Sequence, residues 1–101
     1  MHYLLFYSYV PDVLERRADF RGAHLKHAWA SQQRGELLLA GALADPVDTG
    51  VLWFSAPSKE VVEAFAAEDP YVRGGLVTQW TVRGWTTVVG DAASNPIRPE
   101  S

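Results

Sequence analysis

Three histidines and a scatter of carboxylates are the residues of this chain with the chemistry to move protons. There is no cysteine, so thiolate chemistry and disulfides are both closed to it. No Ser or Thr nucleophile motif is present either. His24 and His27 stand at a spacing that could offer a metal two ligands, but a third ligand is not apparent, and no metal is expected. Gly41, Gly74 and Gly75 do not form a phosphate-binding loop. What remains is acid–base chemistry. An imidazole titrates near neutral pH, and a carboxylate beside it can orient the ring and stabilise its charged form. His24 is the candidate imidazole and Asp69 the candidate carboxylate.

Each candidate also has a plainer reading. On a helix, Asp69 would align with the apolar Val62 and Phe65, where a charge is costly unless paired or hydrogen-bonded. It could instead be a helix-end carboxylate turned outward by Pro70, or a staple to backbone N–H groups of the Gly74-Gly75 turn. His24 falls on the margin of an apolar helical stripe, one turn after Arg21 and one turn before Ala28. That margin faces the helix–sheet seam, where clefts form. Arg21 could hold a substrate carboxylate or pair with Asp69 or Glu68. Tyr71 and Trp80 are candidate lining residues. His2 and His27 read as solvated surface histidines. The tryptophans (Trp29, Trp53, Trp80, Trp85) read first as core or interface.

These side chains need elements to carry them. His2 to Val10 is rich in Tyr, Leu, Phe and Val and is closed by Pro11, which predicts a strand. Asp12 is a helix N-cap candidate, and helical spacing runs from there to Arg34 before Gly35. Leu14, Ala18, Leu25, Ala28, Trp29 and Gln32 share one side of it, and Gly22 is a candidate break. Residues 36–44 and 51–56 predict a hairpin, turned at Asp45-Pro46 and Asp48-Thr49-Gly50. Ser58 opens a second helix, which Pro70 ends at Asp69. Residues 76–89 predict a last strand, bent at Gly84, and residues 91–101 a loose polar tail. The order β-α-β-β-α-β is the ferredoxin-like α+β arrangement. Neither parity of the strands is polar, so both sheet faces should be covered, one by helices and the other by a second subunit.

Composition sets the outer bounds. The chain has 101 residues, enough for one domain, with the tail from residue 91 outside it. Net charge is −3 with Lys and Arg scattered, which argues against an extended nucleic-acid surface. No apolar run approaches the ~20 residues of a membrane span, and the opening segment lacks the basic start and cleavage-like site of a signal peptide. The absence of cysteine fits a reducing, cytoplasmic setting.

Four stretches follow one another in a recognisable order. They are Arg21-x-x-His24-Leu25, Gly35-Glu36-Leu37-Leu38-Leu39-Ala40-Gly41-x-Leu43, Asp69-Pro70-Tyr71-Val72-x-x-Gly75-Leu76 and Val82-Arg83-Gly84-Trp85. Together they resemble the YciI-like (YCII-related) family across residues 1–90. The resemblance implies a dimeric α/β barrel, two ferredoxin-like units facing each other through their sheets. It implies a pocket holding His24 and Asp69, with Gly41 and Leu43 on a rim where the family often has Gly-Pro-Leu and this chain has Gly41-Ala42-Leu43. Some relatives are dehalogenases of chlorinated muconolactone-type intermediates, and the fold resembles muconolactone isomerase. The implied activity is cofactor-free proton transfer: isomerisation, or elimination of a halide, on a small lactone-like or carboxylate metabolite. The alternative is a non-catalytic dimer that binds a small molecule or serves as an accessory protein.

Overall fold

The structure, a computed structural model, describes residues 1–100. Strand β1 (His2–Tyr9) leads into a short helix α1 (Val13–Arg16), a 3-10 turn (Arg17–Asp19) and helix α2 (Arg21–Gln33). Strands β2 (Leu37–Ala42) and β3 (Thr49–Ser55) form the hairpin. Helices α3 (Lys59–Glu68) and α4 (Pro70–Arg73) then precede β4 (Val77–Trp85). The sheet runs β2-β3-β1-β4 with every neighbouring pair antiparallel. This is the ferredoxin-like α+β arrangement that the order of elements predicts.

Alternation along the strands decides which residues the helices take. Tyr3, Leu5 and Tyr7 of β1, Leu52 and Phe54 of β3, and Val82 of β4 are buried beneath α2, α3 and α4. They meet Val62, Phe65 and Ala66 of α3 and Tyr71 of α4 in one core. The opposite parity offers Leu4, Phe6, Val51 and Trp53, all half-buried, to the face away from the helices.

Several expectations are corrected. The helical stretch over residues 12–34 does break near the candidate Gly22, but at Phe20. The cause is packing: the Phe20 ring lies against Gly74 so closely that a Cβ there would sit 2.5 Å from a ring carbon. Neither Asp12 nor Ser58 makes a side-chain capping bond, although both stand at helix starts. The stripe of α2 faces less core than its spacing suggests, since Leu25 and Trp29 are exposed and only Ala28 and Ser31 are buried. β4 stops at Trp85, and Gly84 stays in register opposite Tyr3 without a bend. Register shifts lie instead at Ser8/Tyr9 and at Leu37/Leu39.

The segment expected to be loose folds back. Asn95 N–H donates to Thr87 O at 3.0 Å and Ile97 N–H to Val88 O at 2.8 Å. His2, expected in solvent, is buried and bonds through Nδ1 to Thr87 Oγ1 at 2.7 Å. Thr87 Oγ1 in turn accepts from Ser94 N–H at 2.8 Å.

Candidate active site

Asp69 stands where two helices meet. The proline after it disfavours helical backbone at Asp69, and the residue is extended, at φ −68° and ψ 125°. It therefore ends α3 and serves as N-cap of α4, with Pro70 at the first helical position, where its missing N–H costs nothing. As in any N-cap, the side chain turns back to accept from the second helical residue, here Tyr71 N–H at 3.0 Å from Oδ1. The helical phase puts this carboxylate inward, and it is fully buried.

Two more partners complete it. Tyr7 O–H, in the middle of β1, donates to Oδ2 at 2.7 Å. His24, in α2, bonds through Nδ1 to Oδ1 at 2.7 Å. The structure thus brings His24 and Asp69 together, and the backbone staple is the Tyr71 N–H and not the Gly74-Gly75 turn. An ionised carboxylate only accepts, so Nδ1 carries the proton in this pair and the neutral ring keeps its lone pair at Nε2. The imidazole also stacks on the Tyr71 ring, with centroids 3.7 Å apart and planes within 5°. One short helix therefore fixes both the edge and the face of the ring.

In front of His24 lies a cavity of about 450 Å³. Arg17, Arg21 and Tyr9 line it together with Tyr71, Leu25 and Trp29. Strand β2, Gly41 included, lines it as well. Arg21 forms no ion pair with Asp69 or Glu68; the ion pairs of the described residues lie elsewhere, apart from His24–Asp69. Leu43 and Trp80 lie off the cavity. Leu43 has passed the end of β2 into an exposed turn, and Trp80, opposite Tyr7 on β4, packs against the core. His27 is also not free, as its Nε2 meets Phe65 O at 3.0 Å and its ring stacks on Phe65.

Three residues of the site escape a reading by pattern. Tyr7 looks like any inward strand residue, and only the fold reveals Asp69 above it. Tyr9 continues the parity of Tyr3, Leu5 and Tyr7 and so reads as one more core residue, although it lines the cavity. Its hydroxyl occupies the space a Cβ on Gly50 would need. Arg17 stands one turn before Arg21, and that i, i+4 relation was the available signal.

The phenols remain protonated donors. Burial, and then the nearby Asp69 charge, push Tyr7 well above the ordinary range. Burial, with help from Tyr71 and Asp69, pushes Tyr9 up to about 12, against the pull of Arg17. Burial also raises Tyr71, opposed by Arg21 and Arg17. The arrangement can therefore accept a proton at His24 and donate hydrogen bonds to a nearby oxyanion. No cluster of side chains suited to a metal ion occurs among the described residues.

The chain is similar to known proteins over most of its length. The model of the YCII-related domain matches residues 1–86. Protein YciI of Escherichia coli is 31% identical over 97 residues, covering 87% of this chain and 99% of that protein. A Haemophilus influenzae protein without an assigned role is 29% identical over the same shares. Among solved structures, a 5-chloro-2-hydroxyhydroquinone dehydrochlorinase from Burkholderia phenoliruptrix, in complex with 2,5-dihydroxybenzoquinone, superposes with a TM-score of 0.74. It is 22% identical and covers 86% of this chain and 95% of its own. Protein Atu4242 of Agrobacterium tumefaciens gives a TM-score of 0.57 at 11% identity, with 93% and 98% coverage.

Proposed function

The chain belongs to the YCII-related domain family, and from that premise we propose that it is a small, cofactor-free proton-transfer enzyme. The observation that carries this reading is the 2.7 Å contact between His24 Nδ1 and a fully buried Asp69 at the back of an open cavity. His24 Nε2 takes a proton from a carbon made acidic by a neighbouring carbonyl. The C–H electron pair moves toward the carbonyl oxygen, where Tyr9 O–H donates to the developing charge. The imidazolium is stabilised by Asp69. In isomerisation the proton returns to a different carbon. In elimination the C–H and C–halide bonds break, a C=C bond forms, and halide leaves while the proton stays on His24 until it passes to water. The substrate class is a small lactone-like or carboxylate metabolite. The structural likeness to a dehydrochlorinase favours the elimination branch.

The same proposal makes the protein a cytoplasmic homodimer. The half-buried apolar side chains Leu4, Phe6, Val51 and Trp53 on the sheet face away from the helices support a second copy there. No helix among the described residues is long and apolar enough to cross a membrane.

Turnover on a panel of lactones and chlorinated hydroxyquinones, with halide release as readout, tests the reading. His24→Ala and Asp69→Asn are each expected to lower the rate by about 10²-fold or more. Unchanged rates in both variants would remove the proposed roles. Saturable binding with no product would favour the accessory binding protein instead.

A further inference from the structure

We propose that Arg17 and Arg21 form an anion clamp at the mouth of the cavity, and that the substrate is an organic acid held there by its carboxylate rather than a neutral lactone. The inference rests on the same cavity as the proton-transfer reading and chooses between its two substrate classes.

Besides His24 and the tyrosines, the ionisable side chains of the cavity wall are these two arginines. That is notable in a chain whose net charge is −3. Arg17 is half-buried, yet neither it nor Arg21 has a carboxylate partner among the described residues. A guanidinium held partly out of water without an anion is costly, and a bound carboxylate removes that cost by a charge-assisted, bidentate contact. Both charges reach the inner wall: Arg17 acts on Tyr9 and Tyr71, and Arg21 on Tyr71. Arg21, His24 and Ala28 follow one stripe of α2, and Arg17, in the 3-10 turn just before it, lines the same cavity. A carboxylate at the two arginines would place the carbon skeleton beside His24, against Leu25, Ala28 and Trp29. Two guanidinium groups also make the adjoining carbon easier to deprotonate, because they stabilise the added negative charge.

The probes are benzoate and its neutral counterpart benzamide, titrated into the full chain and followed by calorimetry and by Trp fluorescence. Benzoate is expected to bind at least about tenfold more tightly than benzamide, a difference of ~1.4 kcal/mol. Arg17→Gln and Arg21→Gln should each lose that preference, and Arg17→Lys should keep part of it. Circular dichroism verifies that the variants are folded. Equal binding of the two probes overturns the clamp. So does an unchanged preference in both glutamine variants, or no benzoate binding up to about 10 mM, where even a Kd of ~1 mM would be filled. The two readings fail separately. Charge preference without turnover of any substrate keeps the clamp and loses the enzyme, whereas turnover confined to neutral lactones keeps the enzyme and loses the clamp.

Discussion

Asp69 is the residue on which the site turns. Its two oxygens accept from Tyr7 O–H, Tyr71 N–H and His24 Nδ1, and none of it reaches solvent. Removing one donor leaves a buried lone pair unmet. Tyr7→Phe is therefore expected to cost about 1–3 kcal/mol of stability, measured as a lower urea midpoint. It should also lower turnover by less than Asp69→Asn does, because His24 keeps its partner. Wild-type stability in Tyr7→Phe would mean that the hydroxyl does not support the carboxylate. Of this cluster, the sequence exposes the histidine and the aspartate, since a charged residue in an apolar helical phase stands out. It does not expose Tyr7, whose type and parity suit a core strand equally well. Arg17 is hidden for another reason: a basic residue near a helix start is usually solvated, and its spacing from Arg21 gains meaning once the cavity is known.

At the scale of elements, the strands and their order are legible because each is a block of apolar and aromatic residues between turn signals. Boundaries are less so. The interruption of the first helix comes from the Phe20 ring resting on Gly74, a contact between residues far apart in the chain. Pro70 reads as a stop, but it also opens the last helix, which turns the end of α3 into the cap of α4. The closing segment is held by partners no local pattern reveals, through the His2–Thr87–Ser94 chain of hydrogen bonds. Burial first, and then the N-terminal ammonium, lower the pKa of His2 from 6.5. The native state then binds fewer protons than the unfolded chain just below pH 6.5. The stability that neutral His2 contributes is full above that value and is lost as pH falls through the lowered native one. Amide exchange at Ser94 and Asn95 should therefore quicken between pH 7 and pH 5 relative to the intrinsic rate. His2→Gln should flatten the corresponding part of the stability profile. An identical pH slope in that variant would separate His2 from the effect.

At the scale of the whole molecule, the helices cover one side of the sheet, and on the other the His2 end is buried against Thr87 and Trp53. Alternation identifies two apolar faces, and the fold assigns Tyr3, Leu5 and Tyr7 to the helices, while Leu4, Phe6, Val51 and Trp53 on the other face are where the proposed second copy would sit. Light scattering at micromolar concentration is expected to give twice the chain mass. Phe6→Glu, which sets a charge in the middle of that face, should give a folded monomer. A monomeric wild-type chain would contradict the proposed dimer. The cavity depends on the assembly of the molecule in another way, through α4. This helix has four residues, far below the ~12–15 at which an isolated helix begins to persist in water. Its existence is borrowed from the sheet and from α2. Because the Oδ1 atom that caps α4 also holds the imidazole, and the second residue of α4 supplies the stacked ring, α4 and the orientation of His24 come and go together. Warming that merely frays this one turn would disarm the chemistry while the sheet still stands, so thermal inactivation would begin below the melting of the fold.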